Sequence, residues 1–258
     1  SGTSWEQKGT DIDGVEKYDQ IGNSLSLSSD GLIIAVGSRS NQSTTQSYAG
    51  LVQVYKWDGI DNWSKLGDAI EGEASSDYSG WSTSLSADGK TVAVAAPQND
   101  GNGKNSGHIR IFDWKDKSWL QRGPDIDGDG AGDYSGLAIS LSDDGDFVAI
   151  SSRYNVNNSD DIGQAQTYQW REKSTKWELV GEPINGQKLG DNLGASISLT
   201  ADGEKLAVGA PGQYESDSSR GFVEVYELSG SLISIGSSIY DHANGNLEIT
   251  GQNIPALN

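Results

Sequence analysis

The chain is built from one unit copied four times, and that repetition restricts its fold more than any other feature. Trp5, Trp63, Trp119 and Trp177 lie 58, 56 and 58 residues apart. The same three intervals separate Gly9, Gly67, Gly123 and Gly181, then Asp19, Asp77, Asp133 and Asp191, then Leu27, Leu85, Leu141 and Leu199. Unrelated positions that keep one phase over the whole chain define a structural repeat, which has to be recognised before any local reading. The unit runs WxxxGxxIxG, DxxG, SxSLSxDGxxVAVxA, a variable loop, then GxVxVYxW. The copies span 5–62, 63–118, 119–176 and 177–231, with a partial fifth first strand at 232–239 and a tail over 240–258.

Each unit reads as four short strands. The first runs from Trp to Ile, as in Trp177 to Ile184, and the second is SxSLS, as in Ser196 to Thr200. Asp-Gly follows at Asp88-Gly89, Asp144-Gly145 and Asp202-Gly203, and Asp-Gly between alternating segments is a strong hairpin signal. The third strand is an apolar run such as Thr91 to Ala95, and the fourth is a Gly-x-Val-x-Val-Tyr-x-Trp segment such as Gly50 to Trp57. A helical period is missing throughout. The fold expected is all-β, a β-propeller of four-stranded antiparallel blades with four repeats and part of a fifth. The continuous VAV run suits a strand buried on both faces near the central axis. Trp and Tyr at repeated positions suit the space between blades. Grouping the second, third and fourth strands with the next first strand leaves Trp5 to Ile12 over, an edge available for pairing with the tail or with a neighbouring molecule.

Composition narrows the partners. With 37 acidic against 18 basic residues the net charge is −19, which disfavours nucleic acid and anionic membrane surfaces, both of which need clustered Lys and Arg. No apolar run reaches the length of a membrane span, and the first residues lack the basic, apolar and small-residue pattern of a leader. The absence of Cys removes disulfides and thiolate metal sites.

The string Leu206-Ala-Val-Gly-Ala-Pro211, with Asp-x-x-Gly before it and Gly221-x-Val-x-Val-Tyr226 after it, resembles the FG-GAP repeat of integrin α-subunit propellers and their bacterial and algal relatives. The element is Ala95-Ala96-Pro97 in the second copy and becomes Gly37-Ser38-Arg39 and Ser151-Ser152-Arg153 in the first and third. The resemblance implies a propeller used for adhesion and assembly.

Several candidate sites follow. Asp125, Asp127, Asp129 and Asp133 fit DxDxDGxxD, the spacing with which the FG-GAP family binds calcium. Alternating carboxylates on a glycine-kinked loop can converge on one hard cation; equally, Asp and Gly can serve a solvated turn. Asp11, Asp13 and Asp19 are the weaker first-copy equivalents. Asp19, Asp77, Asp133 and Asp191, present in every copy, suit a turn-capping role. Asn41, Asn62 and Asn157 begin sequons for N-glycosylation in a secreted eukaryotic protein. Trp81 departs from the repeat, since its counterparts are Asn23, Leu137 and Ala195; with Tyr78, Tyr134 and Tyr18 it forms the candidate ligand set. Catalysis is not expected, because only His108 and His242 exist, in unrelated contexts, without a nucleophile or phosphate-cradling motif. The expected function is a non-enzymatic, extracellular interaction or structural propeller, such as a subunit of a surface appendage or filament. Its partners would be proteins, copies of itself or glycans. The alternative is a carbohydrate-binding, lectin-like propeller.

Overall fold

The computed structural model describes residues 3–14, 17–41, 47–154, 162–212, 221–228, 238–241 and 246–249. The described residues contain strands and turns and no helix. They form four antiparallel sheets arranged as the four blades of a β-propeller, one sheet per repeat.

Blade 1 holds β1 (Ile21–Leu27), β2 (Ile33–Ser38), β3 (Leu51–Trp57), β4 (Trp63–Lys65) and β5 (Ile70–Glu71). Blade 2 holds β6 (Ser82–Leu85), β7 (Thr91–Ala96), β8 (His108–Lys115), β9 (Ser118–Gln121) and β10 (Ile126–Asp127). Blade 3 holds β11 (Ile139–Leu141), β12 (Phe147–Ser152), β13 (Gln164–Arg171), β14 (Lys176–Leu179) and β15 (Ile184–Asn185). Blade 4 holds β16 (Ser196–Leu199), β17 (Lys205–Ala210) and β18 (Phe222–Glu227). A separate unit, Glu227–Asn258, contains the hairpin β19 (Ser238–Asp241) and β20 (Asn246–Ile249).

Within a blade the order is first, second, third and outer strand, so each outer strand comes from the next sequence copy. The tight turn between first and second strands is made the same way four times. Asp30, Asp88, Asp144 and Asp202 each accept the hydroxyl of the Ser or Thr two residues earlier and the backbone N–H two residues later. Such local side-chain bonds are why Asp and Ser favour turns.

One expectation is corrected. The outer strand is two short pieces, not one. The chain steps aside at Gly67 and Gly123, whose φ values are +77° and +79°, and a Cβ there would meet Trp114 or Trp170 at 2.5 Å. The buried VAV strand is second in each blade's order, and both it and the first strand contact the adjoining blade. The chain divides into two compact units at Tyr226/Glu227, and Ser238–Asp241 pairs with Asn246–Ile249. Residues 232–237 of the partial fifth strand, 232–239, lie outside the described residues.

The core lies between blades. Ala35, Val52, Val54 and Ile70 of blade 1 pack on Leu85, Val92, Val94 and Phe112 of blade 2. Equivalent clusters join blade 2 to 3 and blade 3 to 4. Trp57–Trp63, Trp114–Trp119 and Trp170–Trp177 are cross-strand pairs with ring centroids 5.2–5.5 Å apart, each adding contact energy beyond its buried area.

Candidate functional site

Residues 81, 137 and 195 lie one or two positions before the inner strands β6, β11 and β16, while 97–98 and 153–154 follow β7 and β12. Antiparallel pairing brings both sets to one end of the inner strands. There they enclose a cavity of about 310 Å³ lined by Trp81, Gln98, Tyr134, Leu137, Arg153 and Tyr154 among others, a size suited to a small ligand. Tyr134 and Tyr154 meet edge to face, 5.6 Å apart. The Arg153 guanidinium lies 5.5 Å from the Tyr154 ring centroid and donates from Nε to Asn192 Oδ1 at 3.2 Å. Arg39 covers Trp81 at 4.5 Å, and Asn23 Nδ2 donates to the Trp81 carbonyl at 2.9 Å.

Of the four aromatic candidates, Trp81 and Tyr134 line this cavity. Tyr78 stands behind Trp81, 6.5 Å away and edge-on. Tyr18 is mostly exposed beneath Lys17, 4.8 Å from its ring, and precedes its repeated Asp where Tyr78 and Tyr134 follow theirs. Tyr78 and Tyr134 occupy the left-handed region, with φ of 56° and 51°. Their counterparts there are Gln20 and Asn192. A bulky aromatic in this conformation is uncommon and accompanies function more often than chance would place it.

The acidic loop does not converge. Asp125 Oδ1 accepts from Gln121 at 2.6 Å and its Oδ2 faces His108. Asp129 Oδ2 accepts from Gln166 at 3.4 Å. Asp133 is buried and accepts the Gly130 N–H at 2.7 Å. Burial, then the Asp125 charge, raises the Asp127 pKa. The four carboxylates do not gather as one group of potential ligands among the described residues. In the first copy Asp11 accepts from Gln7 at 2.6 Å and Asp13 is exposed.

The repeated Asp is a turn cap: Asp77 accepts Ala74 N–H at 2.9 Å, and Asp191 accepts Gln187 and Lys188 N–H at 2.9 and 2.8 Å. An Asn holds the cap in two copies, Asn41 on Asp19 at 2.9 Å and Asn99 on Asp77 at 3.0 Å. The Asn41 sequon therefore coincides with a structural Asn of the repeat. Asn62 is exposed in the turn after β3, and Asn157 lies outside the described residues.

Sequence reasoning missed a second cluster, at the junction of blades 1 and 2. His108 Nδ1 lies 3.6 Å from Asp125 Oδ2 and 4.0 Å from Glu73 Oε2. Arg110 donates to Glu73 at 3.2 Å and to the Glu71 carbonyl at 2.6 Å. Burial, reinforced by the Arg110 charge and opposed by Asp125, lowers the His108 pKa to about 4. The imidazole is neutral at pH 7. Glu73, His108 and Asp125 are the one group of potential metal ligands that comes together among the described residues, their ligand atoms within 4.8 Å. The available signal was departure from the repeat: His108 stands where the other copies have Leu51, Gln164 and Phe222, just as Arg39 and Arg153 stand where the other copies have Pro97 and Pro211.

No family model matches the chain, and no curated protein matches it. Among solved structures it is similar to a Bacteroides uniformis protein described as a "putative 6-phosphogluconolactonase", at 16% identity and a TM-score of 0.55. The likeness covers 97% of this chain and 59% of the other, so the chain spans about three fifths of that structure's length. Kuenenia stuttgartiensis hydrazine synthase is similar at 17% identity over 79% of this chain and 50% of the other, with a TM-score of 0.48. At such identities the likeness shows the fold alone. It does correct the expectation that the chain is not an enzyme: the propeller architecture is shared with a protein described as a lactonase, so neither fold nor repeat argues against catalysis.

Proposed function

We propose that this chain is an extracellular interaction propeller whose mouth binds a saccharide. The observation that carries the reading is the cavity of about 310 Å³ walled by Trp81, Tyr134 and Tyr154 with Arg153 and Gln98 at its rim. Aromatic faces suit the apolar C–H face of a sugar ring, while amide and guanidinium donors suit its hydroxyls. The net charge of −19 favours neutral or cationic ligands over polyanions. The exposed sequon Asn62-Trp63-Ser64 supports the extracellular setting. Glycan-array binding followed by titration tests the proposal. Trp81→Ala should weaken the best ligand about tenfold, the equivalent of ~1.4 kcal/mol. An array without hits, or a Trp81→Ala variant that binds unchanged, overturns it.

A second reading, assembly into a filament or appendage, is favoured by a different observation: the apolar faces at the two ends of the blade series, where Leu25, Leu27, Val223 and Val225 are exposed.

A further inference from the structure

A side-chain bridge recurs between each third strand and the residues just past the outer strand of the preceding blade. Arg110 donates to Glu73 at 3.2 Å, Gln166 to Asp129 at 3.4 Å, and Gln187 to Glu224 at 3.1 Å. Positions 110, 166 and 224 correspond in the repeat, as do 73, 129 and 187. The bridge is therefore part of the way blades join. At the junction of blades 1 and 2 two further residues are added to it. His108 opens β8, and Asp125 directly precedes β10, which pairs with β8 through Asp127↔His108. The next junction has Gln164 and Pro183 at these positions, so joining blades requires neither the imidazole nor the second carboxylate.

The His108 side chain is 2% exposed, and its Nε2 has no hydrogen-bond partner among the described residues. Nδ1 lies 3.6 Å from Asp125 Oδ2 and 4.0 Å from Glu73 Oε2, distances too long for hydrogen bonds. Buried polar rings are normally held by at least one such bond. Each carboxylate meanwhile gives one oxygen to a donor and turns the other toward the imidazole. Glu73 Oε1 accepts from Arg110, and Asp125 Oδ1 accepts from Gln121 at 2.6 Å. Metal centres divide the work in the same way, with outer donors orienting the groups that ligate. Two donors bound to one tetrahedral zinc ion stand roughly 3.3–3.6 Å apart. The His108–Asp125 separation meets this already, and the Glu73 side chain, 46% exposed, is able to close the remainder.

We propose that His108 Nδ1, Asp125 Oδ2 and Glu73 Oε2 bind one divalent ion of the zinc class and so brace the junction of blades 1 and 2. Three protein ligands leave the fourth position to water, on the side where Glu73 meets solvent. The imidazole nitrogen selects zinc, cobalt or nickel over calcium and magnesium, which take oxygen shells. Two carboxylates against one guanidinium leave the cluster anionic, as uptake of a dication requires. The site shares no residue with the saccharide cavity.

The full chain, stripped with a chelator and dialysed, is titrated with zinc chloride at pH 7 by calorimetry, with calcium chloride in parallel. One zinc ion should bind per chain, and the melting temperature should rise with zinc concentration while equal calcium leaves it unchanged. The chain has two histidines, so the ring-proton resonances lost in His108→Gln identify His108, and zinc should shift them in the parent. His108→Gln and Asp125→Asn should each weaken zinc binding at least tenfold. Asp125→Asn alters a partly exposed side chain with little change of shape, and it serves if His108→Gln fails to fold. Gln121→Ala, a positioning change, should weaken binding about tenfold. Absence of binding at millimolar zinc overturns the proposal. So does zinc binding that Asp125→Asn leaves unchanged, or equal stabilisation by calcium, which would mark an oxygen-only site. Trp81→Ala should leave zinc binding intact, so this proposal and the saccharide reading fail separately.

Discussion

At the scale of single residues, His108 carries the clearest physical consequence. Its folded pKa is about 4 against an ordinary 6.5, through burial first and the Arg110 charge second. The unfolded chain therefore takes up a proton below pH 6.5 that the folded chain refuses. Stability from this residue is fully present above pH 6.5, falls as the pH drops toward 4, and levels off below it. The span corresponds to about 3 kcal/mol at most. His108→Gln places there the residue the third copy carries as Gln164. Denaturation of wild type and variant between pH 7 and 4 should show the wild type losing more stability. Parallel curves would mean the imidazole is not buried neutral. Comparing the two also cancels Asp77 and Asp127, whose raised pKa values act in the opposite direction.

Among elements, the hairpin turn is the part most completely written in the sequence. Asp-Gly and the Ser before it are visible as letters, and the structure joins them: Ser86 Oγ donates to Asp88 and accepts the Thr91 N–H, at 2.9 and 3.0 Å. Asp88→Ala should cost about 1 kcal/mol, seen as a melting temperature lower by about 2–4 °C; an unchanged melt would show the turn to be held by backbone bonds alone. The outer strand was less legible. WxxxGxxIxG reads as one strand, and only the Trp114 ring lying on Gly67 reveals why it is two. The acidic loop was least legible, because DxDxDG fixes spacing and not direction: Asp125 turns to His108 and Asp133 turns inward as a cap.

For the whole molecule, protection should follow blade position. β7 and β12 are buried along their entire length, whereas β1 and β18 alternate with exposed residues. Hydrogen exchange in dilute solution should therefore be slowest in β7 and β12 and faster in β18. Uniform protection would contradict both the order and its cause.

The sequence by itself determined the repeat, the four blades, their strand order and their turns, because period-2 alternation and Asp-Gly chemistry act over a few residues and are copied in phase. Even the odd residues, Trp81, Arg39 and His108, stand out as breaks in that phase. Only the tertiary structure decided what those breaks do. Trp81 meets Arg39 across a gap of 42 positions, and His108 meets Glu73 across 35. Such pairs depend on how one blade is rotated against the next. The same holds for burial: Val223 has the letters of a core residue and is 72% exposed, whereas its counterpart Val52 is 0% exposed.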